Sequence, residues 1–309
     1  MIITVTLNPA IDKTAQVTKM VCNGLNRLDS VMLDVGGKGI NVSKAIKELK
    51  GESICTGFVA GDNGVWIEKK LDELGLKYDF KHVEGNTRMN LKVLDEDMNL
   101  TELNEIGTEI KSDDLLAMKK QLLEMTLPGD IVVLSGSVPK GVPQDIYKEL
   151  TQLLKDKGAK VILDADGDLF TAGIEAGPHL IKPNKYELCK YFDLSEDVND
   201  VELIDHAKKL LYKGIEMVVI SLGADGAIFI THNEVARVKG LKITPHSSVG
   251  AGDSMVGALA YGIDHDFELV RLIKWAVATS AGAVMTKGTK APHISVIEKL
   301  VNEVSIEFK

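Results

Sequence analysis

The segment Ser247–Met255, SSVGAGDSM, combines a glycine-rich turn with an acid near the predicted start of a helix. The glycines allow the backbone to turn its N–H groups inward, and a helix N-terminus adds positive charge, so an anion can bind there. Asp253 is expected in the first helical turn, where the helix dipole would keep its carboxyl group ionised. A carboxylate beside an anion hole suits phosphoryl transfer, with Asp253 taking a proton from the attacking hydroxyl. The alternative interpretation is a glycine-rich turn in which Asp253 caps the helix.

A second glycine-rich turn, DVGGKGIN at residues 34–41, also precedes a predicted helix. Its spacing differs from that of a Walker P-loop and from that of a dinucleotide fingerprint, which disfavours an NAD-dependent oxidoreductase. Bare glycines would let a polyhydroxylated ligand approach the backbone, and Asn41 could add hydrogen bonds. A simple strand-to-helix turn is the alternative.

Three other segments place polar side chains after predicted strands. In TLNPAID (6–12), Asp12 could accept two sugar hydroxyls, or it could form an Asx turn after Pro9. In KPNKYE (182–187), Asn184 and Glu187 are hard oxygen ligands suited to Mg²⁺, or they form a helix capping box. SLGADG (221–226) could line a nucleotide, or it could be a hairpin leading into AIFIT. SGSVPKG (135–141) offers Ser137 as a contact for a phosphate or a hydroxyl group.

The elements that must position these residues alternate between short β-rich runs and helical patterns. Strands are predicted at 2–8, 54–60, 131–136, 160–166, 179–184 and 217–223, with helices between them and two closing helices at about 252–263 and 268–286. This alternation predicts a parallel α/β sheet that is covered on both faces. The carboxyl ends of parallel strands meet at one edge, so the polar segments above should share a site.

Two regions, 14–35 and 87–106, indicate strands without intervening helices. In TRMNLKVLD, apolar residues alternate with Arg88, Asn90 and Lys92, which places three polar, partly cationic side chains on one face. We therefore predict a single domain over 1–309 with a discontinuous small sheet that acts as a lid or a dimer contact.

The composition excludes several classes of function. The chain of 309 residues is 45% hydrophobic, with a mean hydropathy of +0.04, a net charge of −9 and a pI of about 5.4. An acidic surface does not favour nucleic acid or anionic lipid as a partner, and no segment is long enough to span a membrane. The three cysteines are far apart, and no signal peptide is recognisable, so a reduced, cytoplasmic protein is expected.

In combination, these motifs resemble those of the ribokinase-like sugar kinases, the phosphofructokinase B family, over essentially the whole chain. The resemblance implies a three-layer α/β/α fold with a mainly parallel central sheet and a small β-sheet lid through which a homodimer forms. It implies ATP and Mg²⁺ as cofactors and leaves activation by a monovalent cation open.

Within that family, GGKGINV, TRMNLKV and VGAGDSMVG imply phosphorylation of D-fructose 1-phosphate at its 6-hydroxyl group. Tagatose 6-phosphate and fructose 6-phosphate are the near alternatives as substrates. A non-catalytic regulator that binds sugar or nucleotide is the more distant one, since such a protein is expected to have lost the base or the metal element.

The resemblance also assigns roles to individual residues. Asp253 would be the base, and the backbone amides of Gly250, Ala251 and Gly252 would hold the transferred phosphoryl group. Asn184 and Glu187 would organise Mg²⁺ through water. The substrate positions are Asp12, Arg27, Gly36, Gly37, Lys38, Asn41, Arg88, Asn90 and Ser137, with Arg88 on the substrate phosphate and Arg27 reaching it from the partner subunit. The nucleotide positions are Lys182, Asn184, Ser221, Gly223, Gly226, Ser248, Gly250 and Gly252. Many relatives have Thr at the position of Ser248, which retains the hydroxyl group.

Overall fold

Strands of two sheets organise the chain, and the computed structural model describes residues 1–97, 99–286 and 288–309. The strands are Ile2–Thr6 (β1), Ala10–Gln16 (β2), Ser30–Gly36 (β3), Ser53–Ala60 (β4), Lys77–Val83 (β5), Arg88–Leu94 (β6), Leu100–Asn104 (β7), Ile131–Ser135 (β8), Lys160–Asp164 (β9), Leu180–Ile181 (β10), Met217–Ser221 (β11), Ala227–Thr231 (β12), Val235–Val238 (β13) and Ile306–Phe308 (β14).

Helices connect most of these strands. They are Lys38–Glu48 (α1), Gly61–Leu74 (α2), Ser112–Met125 (α3), Ile146–Asp156 (α4), Gly167–Ile174 (α5), Lys185–Phe192 (α6), Asp200–Leu211 (α7), Ala251–Asp264 (α8), Leu269–Val284 (α9) and Ile294–Val301 (α10). Among the residues described, no helix combines the length and the apolar character needed to cross a lipid bilayer.

The large sheet has the strand order β14-β13-β12-β11-β10-β9-β8-β1-β4-β5. All neighbours from β5 to β11 are parallel, while β12, β13 and β14 add an antiparallel edge. The predicted α/β class with a mainly parallel sheet is confirmed. The SLGADG segment forms the hairpin alternative, because β11 and β12 pair antiparallel on either side of it.

Alternate side chains of the large sheet pack into two separate cores. Val132 and Leu134 of β8 point into one core with helices α3 to α7, whereas Ile131 and Val133 point into the other with α1, α8, α9 and α10. Strands buried on both faces need continuous apolar runs, which is what β1 and β8 have. The result is a three-layer α/β/α arrangement.

The small sheet has the order β3-β2-β6-β7 and pairs β2 with β6 in parallel. It begins at Ala10, four residues before the region predicted from the sequence, so Asp12 belongs to a strand and does not form a turn after Pro9. Successive side chains of a strand point to opposite faces. Consequently, Asp12, Asn90 and Lys92 share one face, and Val31, Leu33 and Leu103 lie on the opposite one, which we call the outer face.

Candidate active site

A cavity of about 490 Å³ separates the carboxyl edge of the large sheet from the polar face of the small sheet. It brings together segments that are distant in sequence, as expected where parallel strands end. Its walls are formed by Thr6, Asn8, Asp12, Gly37, Lys38, Asn41, Arg88, Asn90, Lys92, Glu102, Asn104, Ser135, Gly136, Ser137, Asp166, Val249, Gly250, Asp253 and Thr289.

Asp253 lies in the first turn of α8, which begins directly after Gly250, and its side chain is buried against the cavity. The backbone N–H groups of a first helical turn lack partners within the helix, so they can bind an anion there. Burial raises the pKa of Asp253, and the nearby Asp164 raises it further. Burial and Asp164 thus oppose the helix dipole, which favours the ionised form of this carboxyl group.

Asn41, on α1, contacts the predicted base directly. Its Nδ2 atom donates a hydrogen bond to Asp253 Oδ2 over 2.9 Å, and both side chains are buried. A hydrogen bond to the ionised carboxylate favours ionisation and lowers the pKa of Asp253, opposing the effect of burial. Asn41 therefore both lines the cavity and favours the ionised form of Asp253.

A buried carboxylate at the end of β9, Asp164, lies between two lysines. Lys182 Nζ and Lys38 Nζ are 3.4 and 3.5 Å from Asp164 Oδ1. Burial acts to raise the pKa of Asp164, but the two ammonium groups outweigh it and the net pKa is lowered. In turn, Asp164 raises the pKa of Lys38 above its usual range. The site thus holds two cations and two carboxylates next to the anion hole.

The opposite wall of the cavity is built around Asp12 on β2. Its two carboxylate oxygens accept hydrogen bonds from Asn90 Nδ2 at 3.0 Å and from Lys92 Nζ at 3.2 Å. Gly36 leaves room for this carboxylate, since a Cβ atom there would lie 2.6 Å from the carboxyl carbon of Asp12. The group is fixed in orientation and faces the cavity, where it can accept hydroxyl protons.

Arg88 begins β6 and is held by main-chain carbonyl groups. Its Nη2 atom donates to Asn8 O over 3.0 Å, and its Nη1 atom donates to Glu105 O over 3.2 Å. Burial lowers the pKa of Arg88 from its usual value, but an arginine stays charged at any physiological pH. The guanidinium group also lines the cavity and keeps donors for an anion.

A second pocket, of about 320 Å³, lies at the same edge of the large sheet and contains Asn184, Ser221 and Gly223. Asn184 and Glu187 form the capping box of α6, with hydrogen bonds of 2.7 and 2.8 Å between side chains and main chain. This confirms the capping alternative and leaves the second carboxylate oxygen of Glu187 outside those bonds. Burial raises the pKa of Glu187.

Some predicted positions lie outside both pockets. Gly226 packs against β13, where a Cβ atom would clash with the carbonyl oxygen of Val238, so the hairpin alone requires the glycine. Ser248 and Arg27 are exposed and line neither cavity. Lys182 is buried beside Asp164, 3.3 Å from the position a Cβ atom on Gly252 would take.

Several residues in or beside the site were not functional candidates in the sequence interpretation, among them Asp164, Lys92 and Lys44. Asp164 ends an ordinary strand pattern, and only the fold brings its lysine partners to it. Lys92 was detectable from the alternation in TRMNLKVLD, which puts it on the face of Arg88 and Asn90. Over the three described ranges, no group of three or more His, Cys, Asp or Glu side chains could hold a metal ion.

The chain is similar to known proteins over nearly its whole length. Residues 5–295 match the model of a family described as pfkB family carbohydrate kinase. The chain is 33% identical to the 1-phosphofructokinase of Haemophilus influenzae, covering 99% of this chain and 97% of the relative. It is 35% identical to the 1-phosphofructokinase of Bacillus subtilis, covering 99% of both.

Among solved structures, phosphofructokinase-2 from Escherichia coli in complex with potassium is similar, with a TM-score of 0.93, 27% identity and 98% of each chain covered. The same enzyme in complex with fructose-6-phosphate has a TM-score of 0.92 and 26% identity, again over 98% of each chain.

Proposed function

Because the chain belongs to the pfkB family of carbohydrate kinases, we propose that it transfers the γ-phosphoryl group of ATP to the 6-hydroxyl of D-fructose 1-phosphate, giving fructose 1,6-bisphosphate. One observation carries the proposal. A single cavity holds a buried acid with an adjoining helix N-terminus on one wall, and a fixed carboxylate with two cations, Lys92 and Arg88, on the other.

Asp253 is the proposed base. The oxygen of the acceptor hydroxyl forms a bond to the γ-phosphorus, the bond from that phosphorus to the β-γ bridging oxygen breaks, and the hydroxyl proton passes to Asp253. The backbone amides of Gly250, Ala251 and Gly252 would stabilise the charge on the transferred group. The raised pKa of Asp253 makes it a stronger base than an ordinary aspartate, provided that it is ionised when the substrate arrives.

The small sheet supplies the proposed recognition of the sugar. Asp12, held by Asn90 and Lys92, would accept hydroxyl protons of the substrate. Arg88 would bind the phosphate already present on the substrate, and Ser137 lies on the same cavity. Lys38 lines the same cavity, and its ammonium group contacts Asp164.

The second pocket is the proposed site of ATP, with Ser221 and Gly223 along its wall. The donor set fits Mg²⁺, because Glu187, which lines an adjoining pocket with Asp166, has a carboxylate oxygen outside the capping box. Asn184 and Glu187 would hold the ion through water, and the ion would neutralise charge on the phosphates. Since an enzyme of similar fold was solved with potassium, a monovalent cation belongs among the ligands to be tested.

A second candidate substrate is fructose 6-phosphate, which the similar Escherichia coli enzyme holds in a solved complex. All candidate substrates carry a phosphate that Arg88 could bind, so the site separates them only through the position of the free hydroxyl group. A coupled assay of ADP release with fructose 1-phosphate, fructose 6-phosphate and tagatose 6-phosphate tests the choice. We expect the highest kcat/KM for fructose 1-phosphate, and a higher value for either other sugar would contradict the proposed substrate.

The small sheet is also the proposed lid and the surface of a homodimer. Its outer face exposes Val31, Leu33 and Leu103, each between 44% and 56% accessible, which is costly for a sheet in water. Arg27, in the exposed loop between β2 and β3, would then reach the substrate phosphate of the partner subunit. The Escherichia coli relative has been solved in a tetrameric inhibited form, so larger assemblies occur in the family.

A further inference from the structure

Lys44 is a buried cation in the middle of α1, below the cavity wall. Its ammonium group is within 3.2 Å of Asp34 Oδ1 and 3.3 Å of Asn41 Oδ1, and it also donates to the carbonyl oxygen of Val35. A lysine with only 7% of its surface exposed needs such partners, since an unpaired buried charge is strongly unfavourable. All three donors of the ammonium group are used inside the protein.

The bond to Asn41 restricts which way the amide of that residue can point. An ammonium group only donates, so the atom of Asn41 that faces Lys44 must be the oxygen. The NH₂ group must then face Asp253, where it donates over 2.9 Å. In the reverse orientation, two oxygens would face each other across that distance, and only a proton on Asp253 could join them.

We propose that Lys44 is a positioning residue for phosphoryl transfer, which keeps Asp253 able to accept the proton of the substrate by fixing the amide of Asn41. This inference rests on the proposed function, in which Asp253 is the base. Lys44 itself does not line the cavity.

The ammonium group of Lys44 also connects Asp253, through Asn41, to the small sheet. Asp34 lies on β3, and its other oxygen accepts a hydrogen bond of 2.8 Å from Thr289, which lines the cavity. Lys44, the Val35 carbonyl and Thr289 together hold the end of β3 against α1 and the segment after α9. Strand β3, which ends at Gly36 beside Asp12, is thereby connected through Lys44 to Asn41, the residue that donates to Asp253.

Four groups face Asp253 from the elements packed around it. Asp164 on β9 raises its pKa, while Lys38 and Asn41 on α1, and Lys182 after β10, lower it. Lys44 acts on the base through Asn41. Loss of a hydrogen bond to the ionised form raises a carboxyl pKa, so a variant without Lys44 should need a higher pH to ionise Asp253.

The test is the pH profile of kcat for Lys44→Met at saturating ATP and fructose 1-phosphate. We expect the acidic limb to move upward by about one pH unit, so that kcat is reduced most at the acidic end of the profile and is largely restored at the alkaline end. Lys44→Arg should keep the original profile, because a guanidinium group also only donates. Lys47→Met removes an exposed lysine from the same helix and should leave the profile unchanged.

If Lys44→Met does not fold because Asp34 is left unpaired, the variant Lys44→Met/Asp34→Asn removes both charges and should show the same upward shift. A kcat reduced by the same factor at every pH, with the limb in place, would mean that Lys44 has a packing role only and would overturn the inference. Asp253→Asn, measured in parallel, distinguishes a failure of this inference from a failure of the proposed function. Near-normal turnover in that variant would refute Asp253 as the base.

Discussion

The two sheets of this protein contribute different walls to one cavity, and their construction differs accordingly. The large sheet is buried on both faces, and the charges at its edge, Asp164, Lys38 and Lys182, are held in a dense network. The small sheet faces the cavity with its polar side, and its outer face carries exposed apolar side chains. The large sheet holds charged side chains in fixed positions, whereas the small sheet offers surfaces to which a ligand or a second subunit could bind.

This difference predicts that kinetic effects divide between the two walls. In the proposed function, groups at the edge of the large sheet act on the transition state, so changing them should reduce kcat. Groups on the small sheet are proposed to bind the sugar, so changing them should raise the KM for that substrate. A substitution at the edge of the large sheet that changed only this KM, or one on the small sheet that changed only kcat, would contradict this division of roles.

The largest effect is expected for Asp253→Asn, which removes the base and keeps the shape of the side chain. We expect kcat to fall by about 10²- to 10⁴-fold with little change in the KM for ATP. Because burial disfavours the charge of Asp253, the neutral amide should also raise Tm by about 2 °C. Steady-state kinetics checks the predicted fall in kcat, and thermal unfolding checks the predicted rise in Tm. A lower Tm would mean that the carboxylate stabilises the fold.

A smaller effect is expected for Arg88→Ala on the small sheet. We expect the KM for the phosphosugar to rise about tenfold or more, since a charged contact to phosphate is lost, while the KM for ATP stays nearly constant. Arg237→Ala is the matched control, because Arg237 lines the second pocket and its loss should raise the KM for ATP instead. Equal changes in both KM values of the Arg88 variant would place this arginine outside the sugar site.

The smallest kinetic effect is expected for Leu103→Lys on the outer face. A charge there should prevent association of two small sheets, shifting the mass in sedimentation equilibrium from dimer to monomer. The KM for fructose 1-phosphate should rise only about threefold, as in Arg27→Ala, if a single rim-exposed cation from the partner is lost. Leu116→Lys, at an equally exposed leucine of α3, should leave the mass unchanged. A monomeric parent protein would contradict the proposed interface.

The elements with strong local patterns could be predicted from the sequence. The closing helices, predicted at about 252–263 and 268–286, lie at Ala251–Asp264 and Leu269–Val284. Alternation in TRMNLKVLD correctly put Arg88 and Asn90 on one face. Short or weakly patterned elements were missed, among them β14, because a three-residue strand acquires its structure from its neighbour β13.

The electrostatics of the site could not be predicted in the same way. Asp164 belongs to a run that indicates only a strand, and its partners Lys38 and Lys182 come from distant segments that meet only in the fold. Burial and Asp164 raise the pKa of Asp253, and both effects depend on packing that no local pattern contains. The roles of the individual residues stay predictions until the variants are measured.

The order of the large sheet has a consequence for how the protein is made. From β9 to β14, each strand lies beside the strand that precedes it in the chain, so this half of the sheet can extend one strand at a time as translation proceeds. Asp253 follows β13, whereas Asp12, Asn41 and Asp164 come earlier. A nascent chain that ends before residue 251 therefore carries the groups proposed to hold the sugar and lacks the proposed base. The proposed base is therefore synthesised after the groups proposed to hold the sugar.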